Sequence, residues 1–401
     1  DAHFDEISAQ LDKMGYTGDR ISFRQFRKEA VCRKDVRIDL CNVKIGDNVS
    51  FVFDSYFSEM NWGGTEEWSC MVANAIAGLG VQTYMICGMN DKFDSFTNNC
   101  MHFAKEDEIS MIKKMAQKIA ECLPCVFVSY SSIALYAARI VKTIFPDKIT
   151  LITVAHGDNS YFYPQLKLWS DRIDKIVCIS KKIYTVFQEQ YGLTDDILIY
   201  KPNPIRLPKG FGKRTFNDNI LQIGFAARLE KMLKRTHLLP EIIDACMFKK
   251  LDIRFNIAGE GQCLDFLKNY VSRNHLEDRV HILGWISPTD MAGFWAKQDI
   301  YLNVSESEGM SLSMLEAMAC GCVPVVTDVS GVDDVIHNGE NGFVVPVDRL
   351  IEIADKIEAI NNDRELMHKV GIYNMNLIKE KFDVSDYAKW MLDNFDQWGG
   401  N

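Results

Sequence analysis

The sequence lacks the features that mark secreted, disulfide-braced or fibrous proteins. It contains no low-complexity tract and no repeat of fixed period, and it opens without the basic and then apolar segment of a secretory leader. Its 12 cysteines are too sparse among 401 residues for a disulfide framework, so we expect reduced thiols and a cytoplasmic protein. Because the chain starts at Asp1 rather than Met, we also expect it to be a piece of a longer protein.

The sequence contains fewer basic residues than acidic residues. The 45 Lys and Arg residues against 55 Asp and Glu residues give a net charge of −10. This balance argues against nucleic acid as a partner, but it leaves room for a local basic groove that holds a phosphorylated ligand.

The sequence also lacks an unbroken apolar run of about 20 residues, the length that a membrane-spanning helix needs. The nearest candidate, Trp68–Asn90, contains no charge but is interrupted by Gly78, Gly80 and Gly88. It predicts a buried helix, a turn and a buried strand. Peripheral contact with the inner face of a membrane stays open.

What the sequence does contain is an alternation of short apolar runs and amphipathic stretches of helix length. This alternation predicts parallel strands joined by crossover helices, which is the pattern of doubly wound α/β units. The strand candidates form two series: Ser50–Phe53, Val81–Cys87, Val126–Tyr130, Thr150–Ala155 and Lys175–Ile179, then Ile220–Phe225, Ile253–Ala258, Val280–Leu283, Ile300–Val304, Val323–Thr327 and Gly342–Val345.

A stretch rich in Pro and Gly, Pro202–Phe216, separates the two series and predicts a linker between domains. We therefore expect a first domain at residues 49–205, a second at 206–378 and a C-terminal helix within 379–401. Residues 1–48 do not follow the α/β pattern and are interpreted as an N-terminal extension.

The most informative stretch is Asp299–Thr327, which predicts a strand, a short loop, a helix and a second strand. Ligands of such units bind at the carboxyl ends of the strands, so Glu308 in the loop should face a cleft. Backbone N–H groups at the start of the following helix can hold an anion. Glu308 and Glu316 can both accept hydrogen bonds from ligand hydroxyls. The alternatives are a solvated Glu308, and a capping box in which Glu316 partners Ser313.

The wider sequence resembles the retaining GT-B glycosyltransferases of family 4. Glu308 and Glu316 form that family's E-x7-E motif, and an Ala- and Gly-containing helix end and a Val-Pro-Val-Val strand follow them. The other matching segments are a Gly63-Gly64-Thr65-Glu66 loop, a Gly259-Glu260-Gly261 turn, a Val280–Trp285 strand and an Asn338–Gly342 turn. The resemblance spans about residues 50–390. It implies a GT-B fold of two Rossmann-like doubly wound domains facing a cleft, with the C-terminal helix crossing back to the first domain.

The resemblance also implies roles for individual residues. Glu308 would contact the hydroxyls of the transferred sugar, and Glu316 would contact the nucleotide ribose. The rest of the donor-binding set would be the backbone of four helix-start residues together with the glycine turns: Gly309, Met310, Ser311, Leu312, Gly63, Gly64 and Glu260.

Cations cluster after the first strand of the second series. The family has an Arg at the position of Arg228 and a Lys five residues later, whereas here position 233 is Leu and the Lys is Lys234. Fixed cations stabilise the charge of a leaving diphosphate, so we assign that role to Arg228 and Lys234, with Lys231 as the competitor. The alternative for Lys231 and Arg235 is a solvated, basic helix start.

His156 ends a first-domain strand in the sequence Ala155-His156-Gly157-Asp158, which resembles the family's His-Gly strand end. It is a catalytic candidate that bonds a substrate hydroxyl, and the open alternative is a histidine that satisfies a buried backbone group. Many family members carry another His after the preceding strand, where this sequence reads Ser129-Tyr130-Ser131. We expect Trp285, Phe294 and Trp295 to pack in the protein, and no Asp-x-Asp metal motif ends a strand of the first domain.

These features predict a retaining, metal-independent transferase. Its donor substrate would be a nucleotide diphosphate sugar, with no separate cofactor. Its acceptor would be a glycan, a lipid-linked molecule or another hydroxyl compound, in surface polysaccharide or glycoconjugate assembly. Two alternatives stay open: a catalytically inactive GT-B binding subunit and a hydrolysing nucleotide-sugar epimerase. The sequence does not distinguish among sugars, bases or acceptors.

Overall fold

The computed structural model describes residues 40, 43–55, 63–88, 99–103, 107–130, 132–158, 162–212, 214 and 220–398. Most of the extension expected at 1–48 lies outside these residues. The described chain forms two parallel sheets flanked by helices. This confirms the expected fold class, two Rossmann-like doubly wound units.

The first sheet has seven parallel strands in the order β3-β2-β1-β4-β5-β6-β7. Their bounds are β1 Ser50–Asp54, β2 Thr83–Gly88, β3 Cys100–Phe103, β4 Cys125–Ser129, β5 Ile149–Ala155, β6 Lys175–Cys178 and β7 Leu198–Tyr200. The central strands β1 and β4 are buried along their whole length, because helices cover both faces of a parallel sheet. Five of the seven strands match sequence candidates, and the two edge strands β3 and β7 were missed.

The helices of the first domain are α1 Gly64–Gly78, α2 Glu108–Ala120, α3 Ser132–Ile144, α4 Phe162–Trp169 and α5 Lys181–Tyr191. The uncharged stretch after Trp68 forms most of α1, a turn and β2, as its glycines predicted. In the described part of the chain, no helix combines the length and the apolar character that crossing a bilayer requires.

The second sheet has six parallel strands in the order β10-β9-β8-β11-β12-β13. Their bounds are β8 Leu221–Ala226, β9 Ile253–Ala258, β10 Val280–Gly284, β11 Ile300–Asn303, β12 Val323–Thr327 and β13 Phe343–Val345. The helices that follow are α6 Leu239–Phe248, α7 Leu264–Arg273, α8 Met291–Trp295, α9 Leu312–Ala319, α10 Glu352–Asn362, α11 Arg364–Lys381 and α12 Val384–Trp398. All six strands of the second series are present where the sequence predicted them.

Both sheets reverse their strand order at one point, and these two switch points define the cleft. The reversal lies between β1 and β4 in the first sheet and between β8 and β11 in the second. Crevices at the carboxyl ends of strands open at such points. The loops after these four strands are therefore the positions where a ligand is expected.

The chain crosses between the domains twice, and the two crossings lie side by side. Ile205 in the outward crossing donates its N–H to the Phe382 carbonyl at 2.7 Å, and Val384 donates back to the Ile205 carbonyl at 2.9 Å. Helix α12 then packs on the first domain, with Tyr387 edge-on to Trp68 and Phe395 edge-on to Phe51.

Candidate active site at the two switch points

At the switch point of the second sheet, an ion pair joins the two loops that flank it. Lys234 follows β8, Glu308 follows β11, and Lys234 Nζ lies 2.5 Å from Glu308 Oε1. The hydroxyl of Ser305 donates to the same carboxylate oxygen at 2.7 Å. Burial by itself raises the pKa of Glu308, but the charge of Lys234 and the hydrogen bonds from Lys234, Ser305 and Asn303 outweigh burial and lower it. Glu308 is therefore an ionised acceptor at neutral pH.

The loop after Glu308 leads directly into helix α9. Ser311 is the N-cap residue, and its Oγ accepts a hydrogen bond from Met314 N at 3.3 Å. Gly309, Met310, Ser311 and Leu312 therefore lie at the positive end of this helix, facing the cleft, where backbone N–H groups attract anions.

Glu316 does not take part in capping α9. The cap is Ser311 rather than Ser313, so Glu316 lies two residues beyond the position that a capping-box Glu occupies. The capping-box interpretation of Glu316 is therefore wrong. Burial and, second, the negative charge of Glu67 in the first domain raise the pKa of Glu316 to about 8. A carboxyl group held mostly protonated at neutral pH both donates and accepts hydrogen bonds.

The candidate cations have different surroundings. Lys231 is exposed, as expected for a solvated residue. Arg228 is also exposed, and its Nη1 lies 3.9 Å from Glu230 Oε2. The interpretation of Arg235 as a solvated residue is wrong, because its side chain is only 12% exposed and binds two backbone carbonyls.

The Gly259-Glu260-Gly261 turn supports the backbone around Arg228. Gly259 has φ +134°, and a Cβ at this position would lie 1.9 Å from the Ala227 carbonyl oxygen, so only glycine fits. The Glu260 carbonyl accepts a hydrogen bond from Leu229 N at 2.8 Å, while its side chain is exposed. In this structure Glu260 thus acts through its backbone.

At the switch point of the first sheet, a second pair joins the loops after β1 and β4. Tyr130, which follows β4, donates its hydroxyl to Glu66 Oε1 at 3.1 Å. Glu66 Oε2 accepts the N–H of Gly63 at 2.8 Å and so fixes the start of α1, where Gly63 and Gly64 lie. Gly63 and Gly64 are recognisable from the sequence, whereas Tyr130 and the role of Glu66 are not, since 64 residues separate the partners.

His156 lies against the same cluster. Its ring is edge-on to Trp68 at 5.0 Å and to Tyr130 at 5.7 Å between centroids. Burial lowers the pKa of His156 to about 3, so the ring is neutral. Its Nε2 is buried and finds no hydrogen-bond partner in the part of the chain that is described.

The first domain closes directly over the loop that carries Glu308. The Ser307 hydroxyl donates to the Asp158 carbonyl at 2.9 Å, and Asn203 Nδ2 donates to the Met310 carbonyl at 3.1 Å. Gly309 packs beneath the His156 carbonyl so closely that a Cβ would lie 2.1 Å from its oxygen. His156 and the Glu308 loop thus meet in one cleft.

A second set of contacts, which we term the domain clasp, consists of Ser180, Lys181 and Tyr200 against Ser330 and Asp334. The two serine hydroxyls are 2.7 Å apart. The fully buried Asp334 carboxylate accepts the Lys181 N–H at helix α5 through Oδ2 and the Tyr200 hydroxyl through Oδ1, both at 3.0 Å. The clasp holds the two domains in the closed arrangement described here.

Two of the three aromatic residues expected to pack do so. Trp295 is fully buried and Phe294 is 7% exposed, but Trp285, directly after β10, is 58% exposed. The packing interpretation of Trp285 is therefore wrong. It lies beside the turn of Gly259, whose N–H bonds the Gly284 carbonyl at 2.7 Å. In the described residues, no group of three or more His, Cys, Asp or Glu side chains is arranged to hold a metal ion.

The second domain matches the profile of a known protein family. Residues 209–376 match the profile of the family described as Glycosyl transferases group 1. An N-acetyl-alpha-D-glucosaminyl L-malate synthase of Bacillus anthracis is 23% identical over 293 residues, which cover 69% of this chain and 75% of the relative. An uncharacterized glycosyltransferase of Haemophilus influenzae is 28% identical over 324 residues, which cover 76% and 88%.

Solved structures agree on the fold. The Anabaena protein Alr3699/HepE in complex with UDP and glucose has a TM-score of 0.72 at 17% identity, covering 86% of this chain and 99% of that one. The pneumococcal O-GlcNAc transferase GtfA in complex with UDP and GlcNAc has a TM-score of 0.72 at 12% identity, covering 89% and 100%.

Proposed function

We propose that this chain, which has the GT-B fold and whose residues 209–376 match the glycosyl transferases group 1 profile, transfers a hexose or related sugar from a nucleotide diphosphate sugar to an acceptor hydroxyl. We propose retention at the anomeric carbon and a role in surface polysaccharide or glycoconjugate assembly. The observation that carries the proposal is the Lys234–Glu308 pair at the switch point of the second sheet. It sets a cation and an ionised hydroxyl acceptor side by side where the diphosphate and the sugar of a donor would lie.

The donor site combines three kinds of charge recognition. Lys234 and the exposed Arg228 meet the diphosphate and stabilise the negative charge that develops as it leaves. The N–H groups at the start of α9 add the positive end of a helix to the same site. When the donor enters, the phosphates compete with Glu308 for Lys234, and the sugar hydroxyls take the place of Lys234 at the Glu308 carboxylate.

Glu316 is proposed to hold the ribose from helix α9. Its raised pKa means that the protonated carboxyl donates one hydrogen bond and accepts another, which suits a pair of neighbouring hydroxyls. Above pH 8 the carboxylate accepts two charge-assisted bonds instead, and these are stronger.

The acceptor is proposed to enter from the first domain beside His156. The neutral ring, with its buried Nε2 lacking a protein partner among the described residues, can form one hydrogen bond to a hydroxyl. We propose front-face attack, in which the leaving phosphate takes the acceptor proton and the protein supplies position and charge stabilisation. UDP is the first nucleotide to test, since the two structural relatives named above contain it.

The test is a panel of UDP- and GDP-sugars assayed for hydrolysis and transfer, beside calorimetry with UDP and GDP. A transferase binds one nucleotide, hydrolyses its sugar slowly and turns over faster with an acceptor, and its activity survives excess chelator. An inactive binding subunit would bind a nucleotide without turnover, and a hydrolysing epimerase would turn over fully with no acceptor. Loss of activity on chelation with recovery in Mg²⁺ or Mn²⁺ would contradict the metal-independent mechanism.

Lys234→Ala and Lys231→Ala form a matched pair for the same assay, because both remove a lysine from one loop. Only Lys234→Ala should lose transfer, by on the order of 10²-fold, since Lys234 reaches the switch point and Lys231 is exposed. Equal losses in the two variants would contradict the site as assigned.

A further inference from the structure

The residue after Lys234 has an unusual backbone. Arg235 lies in the left-handed region, with φ 44° and ψ 35°. A residue with a Cβ is disfavoured there, so surrounding contacts must hold it in place. The strained residue immediately follows the lysine assigned to the diphosphate.

The Arg235 side chain supplies those contacts by reaching across the carboxyl edge of the second sheet. Its Nε donates to the Val304 carbonyl at 2.8 Å, just after β11, and Nη1 donates to the Val347 carbonyl at 3.0 Å, just after β13. Nη1 also lies 3.0 Å from Glu306 Oε2. The Arg235 guanidinium thus contacts two groups in the loop after β11 and one group in the loop after β13.

Leu233, the residue before Lys234, is hydrogen-bonded to the loop after β11. The Leu233 carbonyl accepts the N–H of Glu306 at 2.8 Å. The Leu233 and Met232 side chains are 45% and 77% exposed, and the loop is closed at its end by the buried Thr236, whose N–H and hydroxyl bond the Glu230 carbonyl at 3.0 and 2.9 Å. Both neighbours of Lys234 are therefore tied to the segment that carries Glu308.

We propose that Arg235 is a positioning residue that sets Lys234 opposite Glu308 and so shapes the site for the donor diphosphate. This inference rests on the proposed function and deepens it. The left-handed conformation of Arg235 turns the chain into the short 3-10 turn Thr236–Leu238 that precedes α6. Lys234 is then directed at the switch point while Lys231 remains in solvent.

Arginine suits this role better than lysine or glycine. Its planar fork presents Nε and Nη1 in fixed directions and can bond carbonyls of two loops together. A lysine keeps the charge but has a single nitrogen, so it cannot reproduce the bridge. A glycine removes the backbone strain at φ 44° but also removes the bridge.

The experiment compares Arg235→Lys and Arg235→Gly by UDP calorimetry and by transfer kinetics. If the bridge positions Lys234, both variants should lose about tenfold in UDP affinity and a similar factor in kcat, corresponding to about 1.4 kcal/mol each. Arg279→Ala is the matched control, because Arg279 pairs with Asp252 at 2.9 Å and bonds the Ile253 carbonyl at 3.3 Å on the opposite edge of the sheet. The control should keep wild-type affinity and turnover.

A double-mutant cycle distinguishes positioning from a general effect on the fold. If Arg235 acts through Lys234, then Arg235→Lys should add almost no loss in a Lys234→Ala background. Additive losses, or wild-type behaviour of both Arg235 variants, would overturn this inference while leaving the donor site intact. Failure of the wild-type protein to bind UDP or GDP would overturn the proposed function and this inference together.

Discussion

At the scale of single residues, the two glutamates of the donor site differ sharply in protonation. Glu308 is held ionised by Lys234 and two neighbouring donors, whereas Glu316 is held mostly protonated by burial and by the charge of Glu67. Environment therefore divides two chemically identical side chains into an anionic hydroxyl acceptor and a neutral group at neutral pH. This difference can be tested with one substitution applied at both positions.

Glu308→Gln should preserve UDP binding and lose transfer by about 10²-fold or more, because its proposed partner is the sugar rather than the nucleotide. Glu316→Gln should instead weaken UDP binding at pH 8.5, where wild-type Glu316 is ionised, by about 1–3 kcal/mol. Calorimetry with UDP and a transfer assay give both quantities. Wild-type binding and turnover in both variants would contradict the assignment of the motif.

The pKa of Glu316 also makes a prediction about stability. Its value rises from the ordinary 4.5 to about 8 on folding, so between these values the native state binds more protons than the unfolded state. The free energy of unfolding must then fall as pH rises through this window, and the contribution is fully present only below about pH 4.5. Glu316→Gln removes this titration.

The Tm of Glu316→Gln should accordingly exceed that of the wild type by a few degrees at pH 8 and converge with it near pH 4.5. The measurement is a series of thermal melts across this range. Glu277→Gln, at an exposed position, is the control and should follow the wild type at every pH. A constant offset between Glu316→Gln and wild type would show that Glu316 does not titrate in this window.

At the scale of secondary-structure elements, the sequence predicted the buried strands and missed the edge strands. Strands such as β12, buried at all five positions, are continuous apolar runs and are visible in the sequence. In β3 only Phe103 is buried, and β7 has one buried residue of three, so neither needs an apolar run. Pairing to a neighbouring strand, which the local sequence does not encode, specifies these elements.

The candidate site shows the same limit. The ordered motifs located Glu308, Glu316 and the basic loop, because each lies at a strand end or helix start with a local pattern. The contacts between loops had no local signal. Tyr130 reaches Glu66 and Arg235 reaches Val347 only because the topology brings distant strand ends together. Arg235 was misassigned because a basic residue in a polar loop has the same sequence whether it is solvated or bridging.

The domain clasp yields a prediction at this scale. Asp334→Ala removes both acceptor oxygens, so the Lys181 N–H and the Tyr200 hydroxyl lose their partner across the domain clasp. A buried unsatisfied group costs about 1–3 kcal/mol, which should shift the equilibrium towards an open arrangement. Small-angle scattering should show a larger radius of gyration, and the KM for the donor should rise severalfold. Asp333→Ala, the same substitution at the exposed neighbouring position, should change neither quantity.

At the scale of the whole molecule, the two domains are joined by more than a linker. The outward and returning crossings are hydrogen-bonded to each other around Ile205, and α12 anchors the end of the chain on the first domain. Lys201 in the outward crossing lies over the rings of Trp390 and Tyr387 of that helix. Motion of one domain relative to the other is therefore expected to bend both crossings together as a single hinge.

The contacts by which the first domain covers the Glu308 loop have a kinetic consequence. With the Asp158 carbonyl on Ser307, Asn203 on Met310 and the His156 carbonyl against Gly309, this loop is covered whenever the domains are closed. The nucleotide sugar must then enter before closure, and the spent nucleotide can leave only after reopening. We expect an ordered sequence in which the donor binds first and the nucleoside diphosphate departs last. In steady-state product inhibition, that nucleotide should be competitive against the donor and noncompetitive against the acceptor. Under a rapid-equilibrium random order, the nucleotide would instead be competitive against both substrates.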